Sequence, residues 1–200
     1  MEQVKSKTGY HHGDLRHQLV TATRQLVEEK GPDLFSVSEA ARAAGVSTAA
    51  PYRHFGDRTE LLIAVAHEGF GEMTAAFSSA VAAHQPGTSE ALVAVGTAYV
   101  EFAEANPGLF KLMFAGEHKT EALEEAGHQC YGVVLGQIAQ HLGKTEVDDE
   151  VMRIGFPLWT FVHGLSFLRI DGKADFAKMH APVHEIVAFA TRQLLVKPEG

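Results

Sequence analysis

Two hundred residues carry 17 Lys and Arg against 25 Asp and Glu, a formal charge of −8, together with twelve His and a single Cys. The length suits one ordinary domain or two small ones, and a 46% hydrophobic content is too high for a disordered chain. One Cys excludes an intrachain disulfide framework, the opening MEQVKSKTGYHHGDLR lacks the apolar stretch of a secretory signal, and the uncharged, mostly apolar run Ile154 to Leu168 is short and polar for a bilayer span.

Helical period dominates from the start. Leu15, Leu19, Ala22 and Leu26 fall on one helix face, with Asp14 placed to cap it and Gly31-Pro32 to close it. Ser36-Val37-Ser38-Glu39 is a capping box, which opens a second helix ending at Gly45. Ser47 is placed to cap a short third helix through about His54. Pro51 falls in its first turn, where a missing N–H costs little, so the helix is expected to survive. After Gly56, Asp57 and Glu60 start a long helix over about 58–83 that links two halves.

Further helices are predicted at about 89–105, 120–141, 148–170 and 182–196, with a short apolar piece from Leu109 to Phe114. No segment alternates cleanly between turn signals, and no repeat or low-complexity tract appears. The predicted fold is all-α.

The charge is unevenly placed. Residues 1–62 hold eight positive and eight negative side chains, so residues 63–200 hold 9 positive and 17 negative, the whole −8. Net acidity argues against nucleic acid binding over the entire surface, yet it leaves the neutral first part free to present a basic face.

Ser36 to Phe55 reads as helix, tight turn, helix. Gly45 sits where a left-handed conformation is cheap, and Ala41, four residues earlier, is small enough for a close crossing. Ser47-Thr48-Ala49-Ala50 lets backbone approach a groove floor or phosphate, and Tyr52-Arg53-His54 can reach outward. An ordinary helical hairpin uses the same caps and the same Gly, so the pattern alone leaves both readings open.

The run VSEAARAAGVSTAAPYRHFGDRTELLIAV resembles the DNA-binding domain of the tetracycline-repressor-like (TetR/AcrR) family, with its Tyr-x-His-Phe ending, basic turn and Leu-Leu pair. Tyr10-His11-His12-Gly13-Asp14-Leu15-Arg16 is similar to one branch of it. Asn106 to Phe114 and Trp159-Thr160-Phe161-Val162-His163-Gly164 resemble the regulatory domain named for its Trp-His-Gly motif. The resemblance covers about residues 10–170. It implies a three-helix helix-turn-helix domain over 10–56, joined by a long helix to a regulatory and dimerising helical bundle over 57–200.

By position, the resemblance puts Thr48, Ala49 and Ala50 at base edges. It puts Tyr52 and His54 at phosphates, Ser47 at the cap beside the backbone, Arg58 on a phosphate at the start of the long helix, and Ser38 and Arg42 beside the groove. Thr48 stands where the family often has Lys or Arg, and Pro51 replaces a common aliphatic residue. Direct readout would therefore lean on thymine methyls. Lys5 and Lys7 form either a basic arm reaching the duplex or an inert tail.

In the later part, residues 151, 154, 158, 161, 162, 165 and 168 mark one face, yet Phe156, Trp159 and Phe167 make the same helix apolar elsewhere. The resemblance implies that this helix and the last one pack into a four-helix bundle between two chains. Trp159 and His163 share a face at i, i+4. They are read either as a pocket wall for an effector or as core, with Gly164 then serving a close helix approach. Phe110, Met113 and Phe114 line the same cavity or belong to the core.

The His residues, including His11-His12, His128-x-Cys130 and His180 with His184, read as solvated or capping groups rather than a metal site. No cofactor is expected. No phosphate loop, nucleophile elbow or carboxylate pair supports an enzyme. The expectation is a cytoplasmic homodimeric repressor that responds to an unidentified small-molecule effector and binds double-stranded operator DNA, with no membrane partner. The alternative is a helical small-molecule-binding or adaptor protein without DNA binding.

Overall fold

The computed structural model describes residues 12–116, 120–173 and 181–195. The Lys5 and Lys7 arm, His11, His180 and residues 117–119 lie outside them. Every regular element among the described residues is helical: α1 (His12–Lys30), α2 (Val37–Ala43), a 3-10 turn (Pro51–Arg53), α3 (Arg58–Ala82), α4 (Ser89–Ala105), α5 (Pro107–Phe114), α6 (Glu121–His141), α7 (Asp149–Ile170) and α8 (Val183–Leu194). The chain forms two compact units, residues 1–65 and 66–200.

The first unit is built around α1, which begins at His12, so Asp14 lies in its first turn rather than ahead of it. Leu19, Val20 and Val27 of α1 are buried in the same unit as Ala40 and Ala41 of α2, Phe55, and Leu61 and Leu62 of α3. The Ser36–Glu39 box forms in full: the Glu39 N–H donates to Ser36 Oγ at 3.2 Å and the Ser36 N–H donates to Glu39 Oε2 at 2.8 Å. Lys30 Nζ adds a bond to Glu39 Oε1 at 2.9 Å. These donors hold the Glu39 carboxyl down at about 2.

α2 ends on Gly45 at φ +71°. The Gly45 N–H donates to Arg42 O and the Val46 N–H to Ala41 O, at 3.0 and 2.9 Å. That paired closure satisfies two end carbonyls and turns the chain sharply. At the next helix start, Asp57 Oδ1 accepts from the Glu60 N–H at 2.9 Å, and Glu60 Oε2 accepts from the Gly56 N–H at 2.7 Å.

The third helix departs from expectation. Residues 48–50 form a turn and only Pro51–Arg53 is regular, as a 3-10 turn. The Ala50 N–H donates to Ser47 O, and the His54 and Phe55 N–H groups both reach back to Pro51 O. Pro51 has no N–H to donate to the Ser47 carbonyl four residues back, and its ring crowds that carbonyl, so the tighter i→i+3 pattern prevails.

In the second unit α4 is central: it packs against α5, α6, α7 and α8. Thr88, Thr120 and Asp148 cap α4, α6 and α7 by accepting from early backbone N–H groups. Gly96 lets α4 pass close to α8, since a Cβ there would sit 2.8 Å from Val187 Cγ1. Gly155 does the same for α7 on α6, where a Cβ would lie 2.6 Å from Leu135 Cδ2. Gly164, by contrast, would meet nothing within 4 Å, so the close approach expected of it is made by Gly155.

α7 buries Val151, Ile154, Leu158 and Val162 as expected of its core face, whereas Leu168, near its end, is exposed. Met152, Phe156, Thr160, Gly164 and Leu168 instead form an exposed line at i+4 spacing. Among the described residues, α7 is the one helix long and apolar enough by composition to cross a membrane, with a mean hydropathy of 1.2 over its best 18-residue window, of which 28% is buried. The described residues leave Met152, Phe156 and Leu168 of it exposed.

Candidate functional site

Two sets of residues stand out, one in each unit. In the first, Pro51 and Phe55 are buried and anchor the 3-10 turn to the unit's core. Arg16 lies over the Phe55 ring, its Cζ 5.3 Å from the centroid. With that side held, Arg42, Ser47, Thr48, Ala49, Tyr52 and Arg53 are all exposed, and Tyr52, at 59%, is one of the most exposed large side chains. Ser38, Ala50 and His54 are partly buried beside them. The turn on Gly45 therefore brings the end of α2 and residues 47–53 together on one outward-facing segment, rich in hydroxyls and guanidinium groups and poor in acids.

Arg58 is turned inward. Its Nε donates to Phe35 O at 3.2 Å, its Cζ stacks 4.8 Å from the Phe35 ring centroid, and Nη2 lies 4.0 Å from Asp33 Oδ1 without a hydrogen-bond partner. It braces the link between α1 and α2 against the start of α3.

The second unit holds a half-open cavity of about 800 Å³. Phe70, Met73 and Phe77 of α3 form one wall, Tyr99 of α4 and Met113 and Phe114 of α5 another, and Tyr131 of α6 and Trp159 of α7 a third. Of the five residues expected at a ligand, Met113, Phe114 and Trp159 line it. Phe110 is fully buried behind the wall, 4.9 Å from the Phe114 ring and 5.7 Å from His163, and belongs to the core.

His163 also stands behind the wall and works through Tyr99. Trp159 Nε1 donates to the Tyr99 hydroxyl at 3.4 Å, and that hydroxyl lies 2.8 Å from His163 Nδ1. Indole can only donate, so the hydroxyl proton is directed at Nδ1 and the imidazole proton is assigned to Nε2. Burial lowers the His163 pKa and raises that of Tyr99, which keeps both neutral. The partner of His163 Nδ1 is thus the Tyr99 hydroxyl.

Cys130 faces the same space, its thiol pushed up to about 11 by burial although Thr74 hydrogen-bonds it. Tyr131 also titrates high through burial, and its hydroxyl is buried with no hydrogen-bond partner. Sequence reasoning missed Tyr99, Cys130, Tyr131 and the α3 wall. The wall had a signal in Phe70, Met73 and Phe77 at i, i+3 and i+7; Tyr99 had none beyond a polar atom inside an apolar helix. Among the described residues no three His, Cys, Asp or Glu side chains come together as metal ligands.

Residues 19–65 match the family model of bacterial regulatory proteins of the tetR family, and residues 92–194 match that of the tetracyclin repressor-like C-terminal domain. A solved protein with unknown function from Rhodococcus sp. RHA1 is 34% identical, with a TM-score of 0.79 over 94% of this chain and 97% of that one. A tetR-family transcriptional regulator from Streptomyces coelicolor is 19% identical, TM-score 0.72, over 92% and 80%. The TetR family regulator PfmR from Thermus thermophilus is 23% identical, TM-score 0.64, over 91% and 99%. No curated protein matches the sequence.

Proposed function

Because the chain belongs to the tetracycline-repressor-like family of DNA-binding transcriptional regulators, we propose that it is a ligand-responsive repressor, acting as a homodimer on a pseudo-palindromic operator. Residues 10–56 form the DNA-binding domain and residues 57–200 the regulatory and dimerising domain, of the subfamily marked by Trp159, His163 and Gly164. The observation that carries this reading is the exposed segment from Arg42 to Arg53, held from behind by Pro51 and Phe55.

Thr48, Ala49 and Ala50 meet base edges there. Tyr52, Arg53 and His54 reach phosphates, Ser47 lies beside the backbone, and Ser38 and Arg42 flank the groove. Arg58, at the start of α3, is assigned to a phosphate as well, which its guanidinium reaches only by leaving the Phe35 carbonyl and ring. Two such segments, one per subunit, engage half-sites roughly 34–36 Å apart.

The exposed apolar line on α7, together with Phe189 of α8 at 70% exposure, supports a second copy as its cover. Covering it also accounts for the apolar helix without a membrane and agrees with a cytoplasmic protein. An effector in the second unit's cavity shifts α3 and so the spacing of the paired recognition segments; this last step is a coupling between two sites.

A mobility shift with the DNA upstream of the protein's own gene tests the reading. The expected result is a discrete complex that weakens with salt at a moderate slope, since Arg42, Arg53 and Arg58 offer few phosphate contacts per subunit. Absence of any sequence-preferring complex would leave only a small-molecule-binding or adaptor role.

A further inference from the structure

We infer that the cavity of the second unit takes an uncharged, mainly apolar, ring-containing molecule, and rejects carboxylates, phosphates and other anions. This rests on the reading of that cavity as the effector site and narrows what the effector can be.

The first observation is charge. Among the described residues that line the cavity there is no Lys or Arg, and the chargeable ones are Glu124 and His128, both exposed at the rim on α6. An anion moved into such a space leaves its hydration shell and finds no counter-charge among the described residues. A cation would find aromatic faces, but the carboxylate among the described lining residues, Glu124, stands exposed in water.

The second observation is that the interior polar groups are neutral and largely committed. Trp159 donates to Tyr99, and the Tyr99 hydroxyl lies against His163. Cys130 stays a thiol, held by burial and paired with Thr74. The Tyr131 hydroxyl is buried against α7 at Gly155, so it is the apolar part of this residue that contributes to the wall.

The third observation is shape. Phe70, Phe77, Tyr99, Phe114, Tyr131 and Trp159 present rings from α3, α4, α5, α6 and α7 around about 800 Å³, within the range that holds a drug-sized molecule. Flat or alicyclic skeletons fill such walls at low entropy cost.

The chain supplies its own reporter, because its single tryptophan, Trp159, is on the wall. The probes are N-phenyl-1-naphthylamine and 8-anilino-1-naphthalenesulfonate, which share one skeleton and differ by a sulfonate. Each is titrated into the full chain while energy transfer from Trp159 is followed. The same titrations are run on Gly127→Leu, which fills the cavity from α6, where a Cβ meets only Phe70 at 3.7 Å. Losing a helical glycine there favours folding.

The expected result is saturable transfer to the neutral probe, with affinity at least about tenfold above that for the sulfonate, and loss of that transfer in Gly127→Leu. Equal or tighter binding of the sulfonate at the Gly127→Leu-sensitive site would overturn the ligand class and leave the cavity as an effector site. Transfer to neither probe, or transfer unchanged in Gly127→Leu, would overturn the effector-site reading itself.

Discussion

Ser36 and Glu39 each satisfy the other's backbone, and the Ser36 hydroxyl and Lys30 also donate to Glu39, so the entry to α2 is held by one carboxylate with three donors. The folded Glu39 pKa lies at about 2 against an ordinary 4.5. A depressed carboxyl pKa stabilises the fold above the unfolded value, and that stabilisation is lost as the pH falls from 4.5 toward 2. Glu39→Gln should therefore lower the melting temperature near neutrality, and the gap from the parent protein should close in acid. Circular dichroism melts at about pH 6 and about pH 3 would check it; a gap that persists unchanged in acid would refute the assignment.

Tyr52 and Thr48 separate two further roles at the same scale. Removing the exposed Tyr52 hydroxyl by Tyr52→Phe should weaken binding about fivefold on every DNA sequence, the worth of one net hydrogen bond. Thr48→Ala should instead change preference at one base pair. Binding selections on randomised half-sites would distinguish them, and a Tyr52→Phe protein with intact affinity would remove Tyr52 from the phosphate set.

Elements were legible where their ends are local chemistry. The Ser36 box, the Asp57 cap and the stops at Gly31 and Gly45 placed the helix boundaries within a residue or two, because each signal acts over one turn. The recognition segment was not legible to the same degree. A proline at the fourth position after the cap is tolerated or not according to how the neighbouring carbonyl is placed, and here the 3-10 turn prevails. The cavity was the least legible: Tyr99 and His163 are 64 residues apart, and no spacing in the sequence marks their meeting.

Gly45 offers the test at this scale. At φ +71° an L side chain is strained, so Gly45→Ala should destabilise the first unit by about 1–2 kcal/mol. Chemical denaturation would measure it. An unchanged midpoint would show that the turn relaxes without its glycine.

At the scale of the whole molecule, the −8 charge belongs to residues 63–200, and the near-neutral part carries the exposed Arg42–Arg53 segment. That distribution disfavours nucleic acid on the acidic part and leaves one end for it. In the proposed dimer, the apolar line of α7 and Phe189 form the interface. Phe189→Glu changes a side chain 70% exposed in one chain, so helicity should be retained while the mass in light scattering falls from two chains to one. A dimer that survives the substitution would move the interface elsewhere.

Met152 and Phe156 belong at once to that exposed line and to the rim of the cavity. Whatever lies across the line therefore also narrows the way in, and whatever fills the cavity alters the surface that a second chain must meet. By linkage, the factor by which occupancy changes self-association is the factor by which self-association changes occupancy. In the proposed dimer, the affinity for an effector would then depend on protein concentration, and a dilute cell and a crowded one would read the same ligand at different thresholds.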